Sequence, residues 1–167
     1  MKKTFTLLLL ALTITVVAQE TTKMDATVIR NSENLPVIDG IRYADTYMLQ
    51  VVDKDQKTYK VKDGTKWIDD NAFWQCKQME EVVFPESVED IGVVAFYNCV
   101  NLRSITCLAT IPPKAHKDKY RGTDDTFTGL LPALITVYVP TQSVEAYKKD
   151  SKWGQFNIVG IEAKGTK

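Results

Sequence analysis

The residues of this chain best equipped for nucleophilic or metal chemistry are few: one histidine, His116, and three cysteines, Cys76, Cys99 and Cys107. A cysteine or serine nucleophile needs a base within hydrogen-bond reach. His116 stands in a run dense with charge, where Lys114, His116, Lys117, Lys119 and Arg121 surround Asp118. That loop would have to fold onto a strand residue to complete a catalytic pair. The cysteines fall 23 and 8 residues apart, without the close pairing of zinc sites. Asp69-Asp70 and Asp124-Asp125 are acidic pairs of the kind that turns carry, and no full calcium-loop pattern surrounds them. No glycine-rich phosphate cradle or nucleophile elbow is present. These residues point to noncovalent recognition, with no enzymatic activity, no metal and no cofactor expected.

The elements that position them come from an internal echo. Ile68, Ala72, Phe73, Cys76, Met79, Val82 and Phe84 return 23 residues later as Ile91, Ala95, Phe96, Cys99, Leu102, Ile105 and Cys107. A recurrence of roughly 20 to 30 residues, with apolar positions in the same order, marks a stack of coils that bury one face against the next. Subtracting the same interval from Val82 and Phe84 gives Tyr59 and Val61, so one more coil begins at Thr58. Downstream, Leu134, Val137 and Val139 repeat the spacing of Leu102, Ile105 and Cys107. Strands are therefore expected at 58–61, 82–84, 105–107 and 136–139, with Val82 and Phe84 inward and Val83 outward by the two-residue period. Ile91 to Cys99 is expected to close the coil in a short helical turn, with Phe96 at the centre and Gly92 at a positive backbone angle.

The same logic assigns the cysteines. Cys76 and Cys99 are equivalent positions, and Cys107 takes the core place of Phe84, so all three read as buried apolar residues. Adjacent coils lie about 4.8 Å apart, which is within disulfide range, but equivalent side chains point in parallel. Free thiols follow. Trp74 and Tyr97 are also equivalent and, with Trp67, are expected to stack between coils, while Trp153 seals the terminal one. Before the repeats, Val37 to Tyr43 contains the turn dipeptide Asp39-Gly40, and Tyr47 to Val52 precedes the polar turn Asp53 to Lys57, a hairpin suited to cover the first coil. The fold class expected is a β-rich α/β solenoid of about four short coils, with an N-terminal hairpin cap and a C-terminal cap.

The stretch Ile91-Gly92-x-x-Ala95-Phe96-x-x-Cys99-x-x-Leu102-x-x-Ile105, preceded by Pro85-x-Ser87-Val88, resembles the BspA-type leucine-rich repeat of bacterial surface and secreted proteins. Thr58-Tyr59-Lys60-Val61 resembles the strand that opens such arrays. Val137-Tyr138-Val139-Pro140-x-x-Ser143-Val144-x-Ala146-Tyr147-Lys148, then Trp153 and Phe156, is similar to the ending that closes many of them, particularly in Bacteroides-like bacteria. The likeness runs over about 37–161. Asp69 departs from it where the pattern has glycine, Leu130 stands near the usual cysteine of the third coil, and the array is short. The resemblance implies a repeat scaffold for protein recognition, with adhesion to host matrix among some larger relatives.

Compartment is read from the first residues. Lys2 and Lys3, an apolar run from Leu7 to Val17, and the small residues Val16 and Ala18 before Gln19 make an export signal, too short to span a bilayer. The division expected is 1–18 signal peptide, 19–36 flexible lead-in, 37–161 repeat domain with caps, and 162–167 tail. The 21 basic and 21 acidic residues of the full chain become 19 against 21 once Lys2 and Lys3 are removed. That balance gives no reason to expect a nucleic-acid partner, and no membrane span is expected after cleavage.

Two ligand sites are expected. Outward strand positions Lys60, Val83, Thr106 and Tyr138 form one column across the sheet, flanked by Thr58, Glu81, Ser104 and Thr136, with Tyr138 the strongest anchor. The basic run with Lys117, Lys119 and Arg121 is the second, suited to steer an acidic partner. The function expected is recognition of a protein or glycan by an exported protein, in the host matrix or, alternatively, as an accessory subunit of an envelope assembly.

Overall fold

Asp39 and Gly40 both take positive φ, 49° and 77°, as a tight two-residue hairpin turn demands. They join β1 (Val37–Ile38) to β2 (Ile41–Ala44), antiparallel with Ile38 opposite Ile41. A second turn at Asp45, φ 53°, leads to β3 (Tyr47–Val51), antiparallel to β2 with a bulge between Arg42 and Tyr43. The computed structural model describes residues 34–119, 122 and 124–162. The expected signal peptide, most of the lead-in and the tail beyond Glu162 lie outside them.

From Thr58 to Pro140 the chain alternates between two sheets, and its last strand returns to the sheet of the one before. β4 (Thr58–Lys60), β6 (Glu81–Phe84), β8 (Ser104–Cys107), β10 (Thr136–Pro140) and β11 (Asn157–Ile161) form a five-stranded sheet in the order β11-β10-β8-β6-β4, every pair parallel. The two-residue strands β5 (Trp67–Ile68), β7 (Asp90–Ile91) and β9 (Lys114–Ala115) run parallel to one another and to β3, completing a second sheet in the order β1-β2-β3-β5-β7-β9. Parallel neighbours require a crossover at every step, and the repeat supplies one per period. The register follows the echo: Tyr59 faces Val82, Val82 faces Ile105, Ile105 faces Val137, and Val137 faces Ile158. All five are buried.

Between the sheets lies a ladder of aromatic rings from the turn segments. Phe73 stacks on Phe96 at 5.3 Å and 4°, and Phe96 on Phe127 at 5.9 Å and 18°, with Phe84 edge-on to both Phe73 and Phe96. Phe127 comes 31 residues after Phe96, with Thr126 in the place of Ala95 and Leu130 in that of Cys99. The third turn thus keeps its inner residues despite its longer approach. Beyond β10, helix α1 (Val144–Lys149) and a 3-10 turn, Trp153–Gln155, return the chain to β11. Trp153 is fully buried, donates its Nε1–H to the Pro113 carbonyl at 2.8 Å, and meets Phe127 edge-on at 4.9 Å.

Four local expectations are corrected. Ile91 to Cys99 forms successive turns rather than a helical one, because left-handed residues recur twice per repeat: Asn71 and Val94 at 59° and 48°, Gln75 and Asn98 at 60° and 64°. Gly92 is not left-handed; its small size admits the neighbouring repeat, since a Cβ there would run into the Asp70 amide and stand 2.7 Å from the Asp69 carbonyl carbon. Leu134 is exposed, and Ile135 is the buried residue, because the 3-10 turn Pro132–Leu134 shifts the pattern by one. Trp74 and Tyr97 are 42% and 46% exposed, and Trp74 takes the Lys54 ammonium over its ring at 4.9 Å rather than a stacked neighbour. Trp67 does stack, on Tyr47 at 4.6 Å.

Val94 carries strain, since a β-branched residue is a poor occupant of left-handed backbone. Its equivalent one repeat earlier is Asn71, a residue that tolerates that conformation. Val94→Asn is therefore expected to raise stability by about 0.5 to 1 kcal/mol, read as a higher urea midpoint at unchanged slope.

Candidate functional site

Alternation along each strand sends one set of side chains into the core and the other out. On the five-stranded sheet the outward set is Lys60 beside Val83, Val83 beside Thr106, Thr106 beside Tyr138, and Tyr138 beside Val159. A second outward row runs Thr58, Glu81, Ser104, Thr136 and Asn157, where the Asn157 amide donates to the Thr136 hydroxyl at 3.2 Å. The column expected from the sequence is assembled in one register, and it extends one strand further to Val159 and Asn157. That extension follows Phe156 in the chain and lies outside the 23-residue period, so the echo gave no signal for it. The face carries hydroxyls, an amide, one lysine, one glutamate and a half-buried tyrosine ring, the mix of adaptable polar groups and aromatic anchor that suits noncovalent recognition.

The basic loop is less positive than its sequence. His116 Nε2 stands 2.8 Å from Asp90 Oδ1, the Asp118 amide donates to the Asp124 carbonyl at 2.8 Å, and Lys117 forms an isolated antiparallel bridge with Asp125. Asp125 also receives the Lys152 ammonium at 2.6 Å. Folding therefore adds Asp90, Asp124 and Asp125 to the single acid seen along the sequence. Lys114, Lys117 and Lys119 remain exposed; Arg121 lies outside the described residues.

The thiols are unbridged and buried. Burial pushes Cys76 and Cys107 up to about 11 and Cys99 up to about 12, so thiolate, the nucleophilic form, is scarce at neutral pH. Cys99 donates to the Phe73 carbonyl at 3.1 Å, and the Tyr147 hydroxyl lies 3.2 Å from Cys107 Sγ. Among the described residues no group of three His, Cys, Asp or Glu side chains is placed to hold a metal ion, and no helix is long and apolar enough to cross a membrane.

A family model described as a BspA type leucine rich repeat region (6 copies) matches residues 16–119, more than half of the chain. The chain belongs to the BspA-type leucine-rich repeat family. Proteins of this family are typically surface or secreted, and their repeats are generally non-catalytic scaffolds. None of the curated proteins matches the chain. In this BspA-type protein the strand register runs past the matched stretch, since β10 and β11 lie beyond residue 119 and continue the ladder of β8.

Proposed function

We propose that this protein is a non-catalytic, exported recognition module: a short solenoid of about four coils that binds a protein or glycan through the outer face of its five-stranded sheet. The observation that carries this reading is the unbroken outward column from Lys60 to Val159, which gives a ligand a continuous platform. Membership of a family of surface and secreted proteins supports export, as do the basic start at Lys2 and Lys3 and the apolar run from Leu7 to Val17. The hairpin β2–β3, hydrogen-bonded to β5, and helix α1 with Trp153 serve as the two caps, each covering apolar surface that a terminal coil would otherwise expose.

The test is binding of the purified protein to extracellular-matrix proteins, mucins and anionic glycans at physiological salt. Saturable binding to one of them is expected, and Tyr138→Ala should weaken it by about ten-fold or more with the fold unchanged, since aromatic anchors carry much interface energy. Retained affinity in that variant would remove the sheet face from the reading. Lys117, Lys119 and Arg121 form a second contact for acidic ligands; changing all three to glutamine should reduce binding most at low salt, where charge steering is least screened. Absence of binding across the panel would favour the alternative, an accessory subunit of an envelope assembly, sought by pull-down from the source cell.

A further inference from the structure

The two edges of the five-stranded sheet are built differently. At one edge, β4 lies in the run Lys57-Thr58-Tyr59-Lys60-Val61-Lys62, and lysines on an edge strand are a common guard against unwanted pairing. At the other, β11 lies in Gly154-Gln155-Phe156-Asn157-Ile158-Val159-Gly160-Ile161, eight residues without a charge, without proline, and paired to β10 at five successive positions with no bulge. Val159 is 36% exposed, and Asn157 and Gly160 are exposed as well.

The hydrogen-bond phase of β11 specifies what can be added. The Asn157 amide donates to the Ile135 carbonyl of the β10 side. In a parallel ladder alternate residues turn their backbone groups to one neighbour and the rest to the other. Asn157, Val159 and Ile161 therefore bond to β10, and the N–H and C=O of Ile158 and Gly160 point away from it, to the side of β11 on which no strand pairs among the described residues. A second β11 laid antiparallel about a two-fold axis at Val159 sets Ile158 opposite Gly160 of the other copy, and Gly160 opposite its Ile158. Each of these is a hydrogen-bonded pair, so four bonds satisfy all the outward groups on both strands, and the two Val159 residues meet at a non-hydrogen-bonded position on the axis. No like charges are opposed, and each Ile158 lies across from Gly160, over whose side-chain position Val144 and Thr141 stand, so Ile158 meets an apolar methyl of the other copy.

We propose that β11 is a self-association edge, through which two copies of this protein join their five-stranded sheets into one continuous sheet. The contact is isologous and closes at the dimer. It is also small, well under the area of tight permanent interfaces, so the dimer is concentration-dependent. The inference does not rest on the ligand reading above, and the experiment involves no ligand.

The test is sedimentation of the full protein over a wide concentration range, together with oxidative cross-linking of single-cysteine substitutions. The native thiols are buried, so an introduced surface thiol is the reactive one. Non-hydrogen-bonded antiparallel partners have Cα atoms about 4.5 Å apart, within disulfide reach, and Val159→Cys should give a covalent dimer on mild oxidation. Asn157→Cys should not, because its own symmetry mate lies four residues along the strand, about 13 Å away. Val159→Lys should shift the protein to monomer by at least ten-fold in dissociation constant, while Val159→Thr retains the dimer, with circular dichroism checking that both fold. A protein that stays monomeric at all concentrations, or one in which Asn157→Cys cross-links as readily as Val159→Cys, overturns the proposal.

Discussion

Phe96→Ala is expected to destabilise the protein by about 3 to 5 kcal/mol, a large share of the roughly 5 to 15 kcal/mol that holds a domain folded. Phe96 sits at the centre of the aromatic ladder, fully buried, with Phe73 stacked on one face, Phe127 on the other and Phe84 at its edge. Removing the ring takes away its transfer free energy and also leaves a cavity that two stacked neighbours and two sheets cannot close without breaking register. Phe96→Leu, which retains most of the volume, should cost roughly half as much or less. Urea unfolding of the three proteins measures the difference. A loss below about 1 kcal/mol for Phe96→Ala would mean that the repeats do not share a continuous core.

Trp153→Ala is expected to cost a similar 3 to 5 kcal/mol, or about that, for a different reason. The Trp153 ring is fully buried against Phe127, Tyr147 and Phe156, and its N–H satisfies the Pro113 carbonyl, so one side chain ties the final turn both to the segment between β8 and β9 and, through Phe127, to the long connection after β9. Trp153→Phe keeps apolar volume but leaves that carbonyl without its donor, at about 1 to 3 kcal/mol. The distinguishing readout is amide hydrogen exchange. Loss of Trp153 should unprotect β10 and β11 first and leave β6 protected, because each repeat touches only its neighbours. Uniform loss of protection would show that the array unfolds as one unit.

What could be read from the sequence depended on constancy of interval. The positions of Tyr59, Val82 and Ile105 were legible because two successive 23-residue steps carry the same residue types in the same order, and their strands lie within a residue of where the echo sets them. Phe127 was not, since 31 residues separate it from Phe96, although Thr126-Phe127-x-x-Leu130 has the form of Ala95-Phe96-x-x-Cys99. The second sheet left little trace because its parallel strands after β3 are two residues long, too short to show alternation. The left-handed positions were missed for a chemical reason: Gln75 and Val94 occupy backbone that normally advertises itself with glycine or asparagine. Of the candidate site, the column through Lys60, Val83, Thr106 and Tyr138 was legible from period two alone. The acids that face the basic loop were not, as Asp90 reaches it across 26 residues of chain.

Equal 23-residue steps also bear on how such a protein changes over generations. Because each step advances the chain by one strand in both sheets, and the inner residues of one repeat meet the same residue types in the next, duplicating a single period would add one rung to each sheet and one ring to the aromatic ladder. The ends would move apart and nothing else need be redesigned. Length is then the easiest trait for descent to alter, while the hairpin at one end and the Trp153 closure at the other are bound to stay as they are.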